Sequence, residues 1–183
     1  MTFRVTLGID PGLAGCIAIL ADGDPAGFID MPTVERNIGT GRAIDSHELA
    51  ALLRGIFQTH QGADVQVWVE YVNAMPATKG ESGAPRAAMG SSSAFRFGEG
   101  YGVVKGVLGA LGLHWQLVFP QKWKAHHGLL KQEKDAARIR AIELFPALAG
   151  DLARKKDIGR ADSLMIALYG WQIENGQTSK EAA

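Results

Sequence analysis

Val5 to Leu20, VTLGIDPGLAGCIAIL, is the stretch whose reading decides the fold. Val5, Leu7 and Ile9 alternate with Thr6, Gly8 and Asp10, the two-residue period of a strand, so Asp10 projects on the face opposite the apolar trio. Gly8 shares the face of Asp10, and a glycine two residues before the acid leaves room for a ligand or another backbone. Pro11-Gly12 turns the chain, and Gly15 to Leu20 reads as a second strand. A carboxylate at a strand end is held on a rigid element, which suits a metal or phosphate site. An Asp before Pro-Gly is equally read as a turn residue.

Working outward, Asp22-Gly23 is a hairpin signal leading to a third strand over Ala26 to Met31, which makes three antiparallel strands. Pro32 to Gly41 is a polar connection. Asp45 or Ser46 then caps a helix with Leu49, Leu52, Leu53 and Ile56 at helical spacing, ending near Gly62. Val65 to Val72, VQVWVEYV, is the next strand, with Gln66, Trp68 and Glu70 on one face. Because a helix separates it from the meander, it can lie parallel to the first strand through a right-handed crossover. Asp10 and Glu70 then end adjacent strands on one edge of an α/β sheet.

Residues 73–94 read as a mobile loop without apolar periodicity. A glycine-rich helix follows from about Gly98 to Leu111, its Gly102, Gly106 and Gly109 giving a smooth face. It lacks the Lys-Ser/Thr ending of a phosphate loop. His114 to Phe119 is a short strand stopped by Pro120. One helix is expected from about Gln132 to Phe145, burying Ala136, Ile139, Ile142 and Phe145. Another is expected from about Gly159 to Glu174, with Leu164, Met165, Leu168 and Trp171 inward. Residues 1–176 form one domain and 177–183 a disordered tail.

The 183 residues, 46% hydrophobic, suffice for one well-filled core. No apolar run reaches the roughly 18 residues that span a bilayer, and the N-terminus lacks a basic-then-apolar leader, so a cytoplasmic protein without a membrane partner is expected. The single cysteine, Cys16, excludes an internal disulfide and reads as a core residue. The formal charge is zero, but residues 1–75 carry 4 Lys and Arg against 9 Asp and Glu, and residues 121–160 carry 10 against 5. A basic stretch of this kind faces a polyanion or forms a solvated helix face.

Arg154 to Gly170, RKKDIGRADSLMIALYG, supplies two further acids, Asp157 and Asp162. Either has an ordinary explanation as a helix N-terminal residue. Together with Asp10 and Glu70 they form an acidic set suited to Mg²⁺, which takes oxygen ligands and phosphate oxygens. Two such ions about 3.5 to 4 Å apart stabilise the entering and leaving oxygens of an in-line phosphodiester cleavage. His126-His127 lacks the usual zinc spacing and reads as a surface pair.

GIDPG with Asp10, VWVEYV with Glu70, and KKDIGRADSLMIALYG, together with FGEGYG and PQKWK, resemble the RuvC-type Holliday junction resolvases of the ribonuclease H-like fold, the phage and chloroplast members above all. The resemblance runs from Val5 to Gly170. It implies a mixed five-stranded sheet flanked by helices, a homodimer using Mg²⁺ or Mn²⁺, and a bacterial or phage-infected cell as the setting. The implied reaction is paired nicking of four-way DNA junctions that leaves 5′-phosphate and 3′-hydroxyl ends. Asp10, Glu70 and Asp162 match three family acids. Bacterial members carry the fourth three residues before the last, where this chain has Gly159; Asp157, five residues before Asp162, matches the phage and chloroplast pattern. Residues five apart on an ideal helix diverge by about 140°, so Asp157 must sit off the regular helix to join the set.

The resemblance also implies DNA contacts: Phe95 or Phe97 stacking at the junction centre, Lys79, Arg86 and Arg96 on phosphates there, and Lys122, Lys124, Lys155 and Lys156 along the duplex arms. Rival readings are a less selective nuclease for branched DNA or RNA–DNA hybrids, and a junction-binding protein without catalysis. An ATPase of the actin and sugar-kinase type would need a second lobe for which the chain has no room.

Overall fold

The structure is a computed structural model that describes residues 3–73, 78–79, 85–86 and 90–177. Three strands, β1 (Arg4–Ile9), β2 (Cys16–Ala21) and β3 (Asp24–Asp30), form an antiparallel meander. Its second turn is Asp22-Gly23, both residues at positive φ (49° and 93°), which suits the right-handed twist of the flanking strands. The expected polar connection carries a small separate ribbon, β4 (Thr33–Glu35) paired with β5 (Arg42–Ile44). Helix α1 (Ser46–Thr59) starts on Asp45, whose carboxylate accepts from the N–H groups of His47 and Glu48 at 3.0 Å each.

The crossover through α1 delivers β6 (Asp64–Glu70) parallel to β1, with Ile9 opposite Val69. A two-residue ribbon, β7 (Thr78–Lys79) and β8 (Pro85–Arg86), lies within the segment read as a loop. The long helix α2 (Ser91–Ala110) begins seven residues before the expected start, so Phe95, Arg96 and Phe97 are helical and not loop residues. Its first residues, Ser91, Ser92 and Ser93, fall inside the segment read as a loop, yet in a first turn most N–H groups lack helical partners in any case, and serine is tolerated there. Strand β9 (Trp115–Val118) pairs parallel with β6, which completes the order β3-β2-β1-β6-β9.

Pro120 does more than stop that strand: it opens helix α3 (Pro120–His126), where its missing N–H costs nothing. Helix α4 (Ala136–Leu144) is shorter than expected and turns Ala137 and Ala141 inward, leaving Ile139 51% exposed, because small side chains let it lie close to the last helix. That helix, α5 (Ile158–Glu174), buries a continuous face including Leu164, Met165, Ile166 and Leu168, while Trp171 packs only half-buried at its rim. The tail from residue 178 lies outside the described residues.

The sheet is the middle layer of three. On one side Val5, Leu7, Ile9, Val67 and Val69 pack against Leu49 and Leu53 of α1 and Val104 and Leu108 of α2. On the other side Ala18, Leu20, Trp68 and Val118 meet Trp123, Ala141 and the inner face of α5. Strand β1 is therefore buried on both faces, as a central strand of a mixed sheet is. The α/β class, the five-stranded mixed sheet and the flanking helices all match the reading of the sequence. Among the described residues no helix is long and apolar enough to cross a membrane.

Candidate active site

Asp10 follows directly on β1 and Glu70 ends β6. One step past the Ile9–Val69 pair, the register sets them side by side on adjacent parallel strands. Their even-numbered positions share the face of Thr6, Gly8, Gln66 and Trp68, which looks towards α5. Asp162 comes to them from α5, and Gly8 is what lets it. A Cβ at Gly8 would stand 2.1 Å from the Ser163 carbonyl oxygen and 2.4 Å from the Ala167 nitrogen. The room beside the acid is thus taken by a helix backbone, the second of the two occupants a glycine there admits. Ser163 fastens the contact, its hydroxyl lying 2.7 Å from the Cys16 carbonyl and 2.6 Å from that of Gly159.

The three carboxyl groups feel one another. Burial pushes Asp10 up, against the pull of the Gly12 N–H, 3.1 Å from its Oδ1, and of Lys124. Burial raises Glu70 as well, and the charge of Asp10 adds to it, while a hydrogen bond from Trp123 and the charge of Lys124 oppose it. Asp162 is pushed up to about 7, first by burial and then by Asp10 and Glu70, with Lys124 and Lys134 pulling the other way. Asp10 therefore serves both as a turn residue, through Gly12, and as a member of this set.

Asp157 is not brought to them. It sits in a short 3₁₀ turn (Lys155–Asp157) ahead of α5, off the regular helix as required, but its oxygens are taken up by Arg154. The Arg154 backbone N–H donates to Oδ2 at 2.8 Å, and the guanidinium donates to Oδ1 at 2.7 Å. The buried carboxylate is held down to about 2 by that guanidinium. Its other charged neighbours are Arg160 and Asp30, themselves joined by two hydrogen bonds of 2.7 Å. Together they line a cavity of about 250 Å³ with Leu13, Gly15 and Lys156. Gly159 cannot carry the missing acid either, because a Cβ there would stand 2.2 Å from the Ala14 carbonyl oxygen.

The donor set fits a hard divalent cation: three carboxylates with raised proton affinity hold negative charge that a cation would relieve. Among the described residues no three Asp, Glu, His or Cys side chains already stand in an ion-holding arrangement, so the carboxylates would draw in around the ion. Sequence reasoning missed two neighbours of this site. Lys124, expected along a duplex arm, directs its charge at all three acids. Trp123, inside the PQKWK motif, is fully buried and donates from Nε1 to Glu70 Oε1 at 3.0 Å. Pro120 as a helix-opening signal would have turned Trp123 inward.

The other expected contacts are scattered more widely. Arg96 and Phe97 line a cavity of about 350 Å³ with Pro11 and Leu13, beside the turn after Asp10. Phe95 is 74% exposed on the same helix. Lys122, Lys155 and Lys156 are exposed, and the side chains of Lys79 and Arg86 lie outside what is described. His127 is half-buried and donates to the Met165 carbonyl at 2.9 Å; desolvation of its ring holds it down to about 4. His126 meets Gln172 at 2.7 Å, so the histidine pair, half-buried, packs against α5 and does not stand free at the surface. Cys16 is buried, and burial pushes its thiol up to about 12.

No protein-family model and no curated protein sequence matches the chain. Among solved structures it is similar to T. thermophilus RuvC in complex with a Holliday junction substrate, at 14% identity and a TM-score of 0.50, over 96% of this chain and 98% of that one. A second structure of Thermus thermophilus RuvC is similar at 14% identity and a TM-score of 0.48, with the same coverage. At such identity the first likeness shows the fold, which is the ribonuclease H-like arrangement.

Proposed function

We propose that this chain is a divalent-metal-dependent DNA endonuclease that resolves four-way junctions, as the RuvC-like motifs imply. The observation that carries the reading is the convergence of Asp10, Glu70 and Asp162, from two parallel strand ends and one helix, on a ribonuclease H-like sheet. The three carboxylates would hold Mg²⁺, or Mn²⁺ in its place. Bound there, the metal supplies Lewis-acid stabilisation for phosphodiester hydrolysis. Asp10 and Glu70 stand on the sheet and Asp162 on α5 where it packs at Gly8, so only their side chains would need to move to close on the ion. Lys124 balances part of their charge.

Arg96, Phe97 and Phe95, on the first turns of α2 beside Asp10, would meet the junction, with exposed Lys122, Lys155 and Lys156 on phosphates. Asp157 serves as the anchor of the α5 entrance. Gly98, Gly102, Gly106 and Gly109 recur along α2, and a Cβ at any of them would meet nothing within 4 Å among the described residues, which favours close packing of a second copy. The working form would then be a homodimer cutting symmetric strands of branched DNA, within the phage and chloroplast branch that the motifs suggest.

The test is a nicking assay. Purified protein with Mg²⁺ should cut a synthetic four-way junction far faster than linear duplex, leaving ligatable 5′-phosphate ends. Asp10→Asn should abolish cutting while sparing junction binding. Equal cutting of junction and duplex would reduce the reading to a general nuclease, and binding without cutting would remove the enzyme.

A further inference from the structure

Glu70 accepts a single side-chain hydrogen bond among the described residues, and its donor is an indole. The bond follows from the strand register. Glu70 lies opposite Val118 in the β6–β9 pairing, Pro120 opens α3 two residues later, and Trp123 comes back over Glu70 within the first turn of that helix. The Trp123 ring is 0% exposed, in a cluster with Val118, Leu129, Leu164 and Leu168, so its Nε1 has one direction in which to point. Indole nitrogen only donates and carries no charge. A lysine in its place would compete with a cation for Glu70, and a histidine would titrate or ligate.

A second buried indole on the same side of the sheet provides contrast. Trp68 Nε1 is buried without a hydrogen-bond partner among the described residues. This core therefore leaves one indole N–H unspent, yet aims the other at a carboxylate of the acidic set.

We infer that Trp123 is a positioning residue for the metal site: its indole holds Oε1 of Glu70 and leaves Oε2 as the oxygen offered to the cation. The inference rests on the reading of Asp10, Glu70 and Asp162 as metal ligands. Partners that orient metal ligands in this way are worth about 10- to 100-fold in metal affinity. Uncharged donation suits the role, because it fixes the carboxylate without neutralising it.

The experiment uses the full chain, ¹⁵N-labelled, with Mg²⁺ alone as probe. Four tryptophans give four indole N–H signals, and Trp123→Phe identifies the one that matters. That signal should shift on Mg²⁺ addition with the same midpoint that calorimetry gives for binding, and should stay still in Asp10→Asn. Trp123→Phe should bind Mg²⁺ at least about tenfold more weakly, whereas Trp68→Phe, an equal loss of core volume, should keep its affinity. An unmoved Trp123 signal while Mg²⁺ binds, or undiminished affinity in Trp123→Phe, overturns the positioning role and leaves the metal reading standing. No Mg²⁺ binding by the unaltered chain overturns both.

Discussion

Asp162→Asn should make the metal-free protein more stable at alkaline pH. Asp162 in the folded chain is pushed up to about 7 from an ordinary 3.8, chiefly by burial. Between these values the folded state keeps a proton that the unfolded state has released. Stability is therefore fully present below about pH 4, falls as pH rises towards 7, and is flat above. At 1.36 kcal/mol per pH unit the accumulated loss is about 4 kcal/mol, an upper figure because Asp10 and Glu70 share the repulsion. Asparagine cannot ionise, and it also relieves its two neighbours. Urea unfolding in the presence of a chelator, at pH 4 and pH 8, reads the effect. The variant and the parent should agree at pH 4, and the variant should be the more stable at pH 8 by up to about 4 kcal/mol. Added Mg²⁺ should then stabilise the parent and not the variant. A gap that does not change with pH would refute the reasoning, since a packing or hydrogen-bond effect of asparagine would be present at both.

Gly8→Ala drives a methyl group into the α5 backbone at Ser163 and Ala167, so unfolding experiments should show a loss of at least about 1 to 3 kcal/mol, together with weaker Mg²⁺ binding as Asp162 is pushed away. Asp157→Asn removes the charge that pairs with the Arg154 guanidinium and one of the two acceptor oxygens, and should lower the melting temperature while calorimetric Mg²⁺ affinity stays where it was; a collapse of that affinity would return Asp157 to the metal site. Gly159→Asp, which supplies the acid of the bacterial pattern, should fold poorly against Ala14 and gain no Mg²⁺ affinity. Phe95→Ala, at a side chain 74% exposed, should weaken binding of a four-way junction in a gel-shift assay without moving the melting temperature.

Much of the architecture was legible because its signals are periodic. The alternation in Val5 to Ile9 and Val65 to Val69 named both buried strands. The helix between them implied that they run parallel, and the two strand-end acids followed. Asp162 could be named as a candidate from its sequence, but its place beside Asp10 could not, because that depends on α5 lying backbone to backbone on Gly8, a tertiary contact with no local period. The partner of Asp157 was hidden for a related reason: the i to i+3 pairing with Arg154 is a local capping arrangement, and spacing to Asp162 says nothing about which group takes the carboxylate. The start of α2 was hidden by composition, since serines and glycines mark loops on average yet are tolerated in the first turn and on a face meant for close packing. Trp123 was hidden because two lysines flank it and its burial depends on Pro120 opening a helix, which leaves no local apolar period.

The most direct test is a crystal structure grown with Mn²⁺ and an anomalous difference map. The account predicts a peak bounded by Asp10, Glu70 and Asp162, with Trp123 still donating to the far oxygen of Glu70 and Asp157 still paired with Arg154. A peak held by Asp157 and Asp30 instead, or no peak at saturating Mn²⁺, would contradict it.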